Sequence, residues 1–422
     1  MGTGSTLDAP RTAEVQPGTP VDLSRGLTPG GSGLSVAYGS LGAMSVWDDL
    51  VGQETAVAAL SRAVAGDAHA MTHAWLMTGP PGSGRSNAAR AFAAALQCER
   101  GGCGECSACR TSLSGAHPDV TLVRTEQLSI GVDEVRNLVR RAAMSPTLGR
   151  KQVIVVEDAD RITERGADAL LKAIEEPAPK TVWLLCAPTP DDVVVTIRSR
   201  CRQVQLATPT ADAIARLLVT RDGVDPAMAG FAARVAQGHI GRARALARDE
   251  GARIRRNEVL ALPPELITLG ACLRAASNIV AATKDEAQAI TAKRDEAEMA
   301  ELTGALGFGT KGARPKNAQA AVKELEEQQS ARLKRTQRDA LDRVLTELTA
   351  YYRDVLTVQM RTGAPLINTE YQAAIGSIAR RTTPEQTMQR LDTILAARTA
   401  LETNVPPQLA VEALMIDLAE KL

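Results

Sequence analysis

Between about Val46 and Thr208, short continuous apolar runs alternate with amphipathic stretches. AWLMTG (74–79), VTLVR (120–124), KQVIVVED (151–158) and VWLLCAP (182–188) read as strands. SNAARAFAAALQ (86–97), VDEVRNLVRRAAM (132–144) and ADALLKAIEE (167–176) read as helices, the last stopped by Pro177. Strands with no polar alternation have no wet face. Separated by helices, they imply a parallel sheet covered on both sides, an α/β fold class. A small helical unit follows over 209–253, and 254–422 reads as helix. The glycines of 304–316 interrupt it as a loop, and a helix over about 317–359 comes next, with Leu341, Leu345, Leu348, Tyr352 and Leu356 on one face. The charged stretch 281–335 leaves two readings open, an exposed helical hairpin or merely solvated helix.

The length of 422 residues allows two or three domains, and the pattern divides it into three: 44–208, 209–253 and 254–422. Residues 1–43 stand outside them, with Gly and Pro at 13 positions, and are expected to be disordered; Met44 is an alternative start. Forty-nine Lys and Arg balance 49 Asp and Glu, which excludes a broadly basic nucleic-acid coat but not a local basic face. Aromatic residues make up only 2%, too few for a base-stacking platform. No apolar run is long enough to span a membrane and no signal peptide is evident, so a cytoplasmic protein is expected.

GPPGSGRS (79–86) joins a strand to a helix, the setting of a loop that cradles phosphate on backbone N–H groups. Gly79, Gly84 and Ser86 match G-x-x-x-x-G-K-[ST], and Gly82 adds a further small residue, but Arg85 stands where the pattern has lysine. A planar guanidinium does not replace a compact ammonium between two phosphates. The strand at 151–158 ends in Glu157-Asp158, the reverse of the Asp-Glu order that an ATPase uses for magnesium and water. Exchanging the two displaces each carboxylate, and about 1 Å of misplacement can cost roughly 10²-fold in rate. A nucleotide site that hydrolyses poorly is the expectation; a tight structural turn and a solvated acidic loop are the plainer alternatives. Cys98, Cys103, Cys106 and Cys109 follow C-x₄-C-x₂-C-x₂-C, four thiolates in short spacing around Gly101, Gly102 and Gly104. They suit a closed structural Zn²⁺ site with no open catalytic position. Cys186 and Cys272 read as core thiols. Arg198, Arg200 and Arg242 are candidates for reaching an anion.

The ordered set of GPPGSGRS, the four-cysteine module, VVEDAD, ALLKAIEEP (169–177) and TIRSRC (196–201) resembles the clamp-loader subunits of bacterial DNA polymerase III, an AAA+ group. The resemblance covers about 44–250, and NVPPQLAVEAL (404–414) resembles the helical collar of the same subunits. It implies a P-loop-type sheet domain, a helical lid and a collar that packs against neighbours. Arg85, Glu157-Asp158 and the apolar Cys186-Ala187, where a working member has a polar sensing residue, place the chain nearer the delta-prime branch than the gamma/tau motor. That branch implies a stator without efficient ATPase of its own. Its Arg200 would act as an arginine finger in trans, and Arg242 would match the lid arginine. The implied partners are gamma/tau and delta subunits in a hetero-pentamer, the sliding clamp and primer–template DNA, at the nucleoid-associated replisome. Zn²⁺ is the implied structural ion; ATP or ADP with Mg²⁺ is left open. An active gamma/tau-type ATPase and a non-replicative AAA+ scaffold or adaptor are the rival readings.

Overall fold

The computed structural model describes Met1 and residues 45–419, apart from 68, 126–128, 307–317 and 404. Apart from Met1, the residues on which the expectations for 1–43 and Met44 rest lie outside these, as does the 304–316 loop from 307 onward. The chain runs α1 (Glu54–Val64), β1 (Ala74–Thr78), α2 (Arg85–Gln97), α3 (Ser107–Ser114), β2 (Val120–Val123), α4 (Val132–Ala142), β3 (Gln152–Val156) and α5 (Glu164–Glu175). It continues through β4 (Thr181–Ala187), α6 (Val195–Arg198) and β5 (Arg202–Gln205). The rest is helical: α7 (Ala211–Thr220), α8 (Pro226–Ala236), α9 (Ile240–Arg248), α10 (Glu250–Ala261), α11 (Leu269–Ala305), α12 (Ala318–Met360), α13 (Gln372–Arg381), α14 (Pro384–Glu402) and α15 (Pro407–Leu418).

All five strands are parallel, in the order β2-β3-β4-β1-β5. Strands β1, β3 and β4 are buried along their whole length. Alternate side chains go to opposite faces, as a strand's period of two requires. Trp75, Met77, Val153, Val155, Leu184 and Cys186 pack with α1 and α2 on one face. Leu76, Ile154, Val156, Trp183 and Leu185 pack with α4 and α5 on the other. The Trp75 and Phe92 rings meet edge to face with centroids 5.0 Å apart. Four strands coincide with the apolar runs. The fifth, RQVQ, has a single buried residue, Val204, because it lies at the sheet edge and one face is wet. Its polarity hides it from an apolar-run reading.

A separate apolar core gathers α7, α8 and α9 around Ile214, Leu218, Ala229 and Ala243. Another gathers α10 to α15 around Leu260, Ile279, Leu348, Tyr351, Tyr352, Ile394 and Leu414. The charged stretch 281–335 contributes to two long helices, α11 and α12, which pack against each other through Arg332, bonded to Asp295 at 2.5 Å and to Glu298 at 2.9 Å. Among the described residues no helix is long and apolar enough to cross a membrane.

Candidate functional site

The glycine-rich loop leaves β1 at the C-terminal edge of the sheet and opens α2, whose N-cap is Gly84 at φ +92°. A side chain at Gly79 would lie 2.7 Å from Ser83 Oγ and 2.8 Å from the Leu206 carbonyl, so only glycine fits there. A Cβ at Gly82, φ +85°, would lie 2.5 Å from His239 Cα. The N-cap residue of α9 therefore sits directly against the loop. Arg85 folds back and donates to the Gly79 carbonyl within its own loop. Burial pulls this guanidinium below its ordinary pKa, against Cys186, Asp160 and Asp158, which raise it. Ser86 is half-buried in the first turn of α2. Gln53, a residue that no motif flags, holds the loop in place: its amide donates to the Ser83 carbonyl at 3.2 Å and to Ala207 O at 2.7 Å.

Glu157 and Asp158 follow β3 on the same edge. Glu157 is buried and takes Nε and Nη2 of Arg90 from α2 on one oxygen, at 2.9 and 2.6 Å. Asp158 accepts from Arg335 of α12 at 3.2 and 3.4 Å. Burial raises the pKa of neighbouring Asp160, and the charge on Asp158 adds to the effect. Arg242, in the first turn of α9, is paired with Glu347 of α12. Arg90, Arg335 and Glu347 were invisible to sequence reading because each lies at least 67 residues from its partner.

A magnesium nucleotide needs an open anion cradle and a carboxylate free to take the metal. Here His239 abuts the cradle, Arg85 is spent on a loop carbonyl, and Glu157 and Asp158 each carry an arginine. The residues present do not fit the group in this arrangement.

Arg200 follows α6 and keeps much of its side chain in solvent. Its Nη2 pairs with Glu175 at the end of α5 at 2.7 Å, and its Nη1 donates to Thr196 O at 2.9 Å. Both terminal nitrogens are thus engaged within the chain, while 41% of the side chain remains exposed. Arg198 instead pairs with Asp191.

Cys98 at the end of α2, Cys103 and Cys106 in the following turns and Cys109 in α3 place their sulfurs within 4.8 Å of one another. Cys98 Sγ is 3.7 Å from Cys103 Sγ and 3.8 Å from Cys106 Sγ. A tetrahedron with metal–sulfur bonds of about 2.3 Å has edges of about 3.8 Å, so four thiolates around a zinc-sized ion fit. Gly101, Gly102 and Gly104 all adopt positive φ, which turns the chain back on itself between ligands. Burial raises the Cys98 pKa, but N–H groups of Cys103, Gly102 and Arg100 outweigh it and bring it to about 6, whereas burial pushes the Cys109 thiol up. The cluster can hold a metal ion such as zinc, and it packs into the sheet core through buried Cys98 and Cys109.

A five-stranded parallel sheet with a glycine loop after β1, an acidic end on β3 and a helical unit against the loop has the layout of a P-loop-type α/β domain. A family model described as "DNA polymerase III, delta subunit" matches residues 52–210. The delta' subunit of DNA polymerase III from Pseudomonas aeruginosa is 41% identical over 151 residues, 34% of this chain and 45% of that protein. The gamma/tau subunit from Mycobacterium tuberculosis is 38% identical over 157 residues, 36% of this chain and 27% of that protein. A solved structure of a gamma subunit-related protein from Thermotoga maritima covers 86% of this chain and 99% of its own at 16% identity, with a TM-score of 0.37, too loose an overlap to add anything. Over residues 52–210 the chain is similar to the delta' and gamma/tau subunits of DNA polymerase III. It spans less than half the length of the two curated relatives.

Proposed function

We propose that the chain is a delta-prime-type stator of a DNA polymerase III clamp loader, helping to place a sliding clamp on primed DNA. The observation that carries this reading is the contrast between its two charged sites. The carboxylates that would serve its own nucleotide are engaged by Arg90 and Arg335. Arg200, by comparison, keeps 41% of its side chain exposed, so it could leave its pairing with Glu175 for an anion on a neighbouring subunit. In this reading Arg200 is a finger in trans on ATP held by a gamma/tau motor, in a ring of three motors, one delta and this subunit. The helices from α10 onward form the collar, Cys98, Cys103, Cys106 and Cys109 hold structural Zn²⁺, and the assembly works at the cytoplasmic replisome. An arginine finger is worth about 10³–10⁵ in rate at the site it serves.

The test is reconstitution with gamma/tau, delta, clamp and primed DNA, measuring DNA-stimulated ATPase. Arg200→Ala removes the turnover of the one motor it serves, while Ser86→Ala leaves the rate unchanged. An unaltered rate with Arg200→Ala sinks the finger assignment. The identity with gamma/tau sustains one rival, an active ATPase. Turnover by the isolated chain, lost on Ser86→Ala, would favour it.

A further inference from the structure

Two ion pairs that bear on the glycine-loop cleft come from one helix. Arg335 reaches Asp158 beyond the end of β3, and Glu347, twelve residues along α12, takes Arg242 of α9 and also Arg256 Nε at 3.3 Å. Twelve residues of α-helix span about 18 Å, so one rigid rod touches both the acidic edge of the sheet and the helical unit over the loop. We propose that α12 is an intrachain strap that holds these two parts at a fixed angle and shuts the 79–86 cleft to magnesium nucleotide.

The contacts are shielded enough to matter. Arg335 is 12% exposed at its side chain, and Arg242 and Glu347 are 10% and 8%. A guanidinium against Asp158 neutralises a carboxylate that a divalent cation would need. Glu347 keeps Arg242 from turning to an anion in the cleft. Removing it would leave two arginines, one of them with a side chain 2% exposed, without their shared carboxylate. With α9 drawn down, His239 is pressed on Gly82. A nucleotide would have to break both pairs and lift α9 before reaching the loop. If α12 were only a packing partner for α11, both pairs would be dispensable.

The inference does not depend on the clamp-loader reading, because it is tested on the full chain alone. Amide hydrogen exchange is followed over 157–163 and 240–248, with and without magnesium-ATP, while circular dichroism checks the fold. In the unaltered chain, added magnesium-ATP leaves both segments unchanged. Arg335→Ala and Asp158→Asn each speed exchange over 157–163 by about ten-fold, a shift in the range of local opening. The double variant is no faster than either single one, and Arg335→Lys stays near the original rate. Glu347→Gln speeds 240–248 in the same way. Unchanged exchange in Arg335→Ala, additive effects in the double variant, or protection of the original chain by magnesium-ATP each overturns the strap.

Discussion

Replacing Cys109 by serine tests the metal site most directly. Cys109 is fully buried, and its sulfur lies with those of Cys98, Cys103 and Cys106 inside a 4.8 Å span. The observed edges of 3.7 and 3.8 Å match the ~3.8 Å edge of a zinc–thiolate tetrahedron, so little rearrangement separates this arrangement from the bound one. Serine lacks the thiolate, leaving three donors and an open position. Changes in outer-shell partners alone cost roughly 10–100-fold in affinity, so losing a ligand should cost at least about 100-fold, or about 2.8 kcal/mol at 1.4 kcal/mol per decade. The chain is purified without chelator, and metal is counted by inductively coupled plasma mass spectrometry. Affinity is read by competition with a chromophoric chelator. About one zinc per chain is expected for the unaltered protein, and a weakened or empty site for Cys109→Ser. An unaltered chain without zinc, or a variant with unchanged affinity, would refute the reasoning.

Three further outcomes follow from the packing. Gly82→Ala forces a Cβ into His239 at a backbone angle that L-residues avoid, and should lower stability by roughly 1–3 kcal/mol in denaturant melts; an unchanged midpoint would contradict the close approach. Asp354→Ala removes a fully buried carboxylate that accepts from Ile367 N at 3.0 Å, Asn368 N at 2.7 Å and Asn368 Nδ2 at 3.0 Å. A loss of about 3–5 kcal/mol is expected, and one below about 1 kcal/mol would show the network to be dispensable. Burial, followed by the charge of Arg242, lowers the His239 pKa. The unfolded chain therefore takes up this proton first as pH falls through about 6.5, and stability is lost from there down to the lower folded value. Denaturation at pH 7.5 and 5.5 should show that loss, and His239→Gln should reduce it; an identical pH slope in the variant would refute the assignment.

Much of the α/β domain was legible along the chain because its central strands are buried on both faces. Such strands need unbroken apolar runs, and β1, β3 and β4 have them. The cysteine spacing was equally legible, because twelve consecutive residues suffice to surround an ion. Edge strand β5 was missed, since one wet face dilutes its apolar signal, and α3 was hidden inside the cysteine spacing. The charged stretch 281–335 left two readings, and periodicity could not choose between them. Its place became clear only where α11 and α12 pack together and Arg335 meets Asp158.

Local order along the chain therefore determined the sheet, the loop, the acidic strand end and the four-cysteine cluster, because each is written in neighbouring residues. Only the tertiary structure decided what those groups touch. Arg90, Glu175, His239, Arg335 and Glu347 carry no motif, and their partners are set by how helices cross the sheet edge. Long-range charge pairing has no period, so it becomes visible only once the chain is folded.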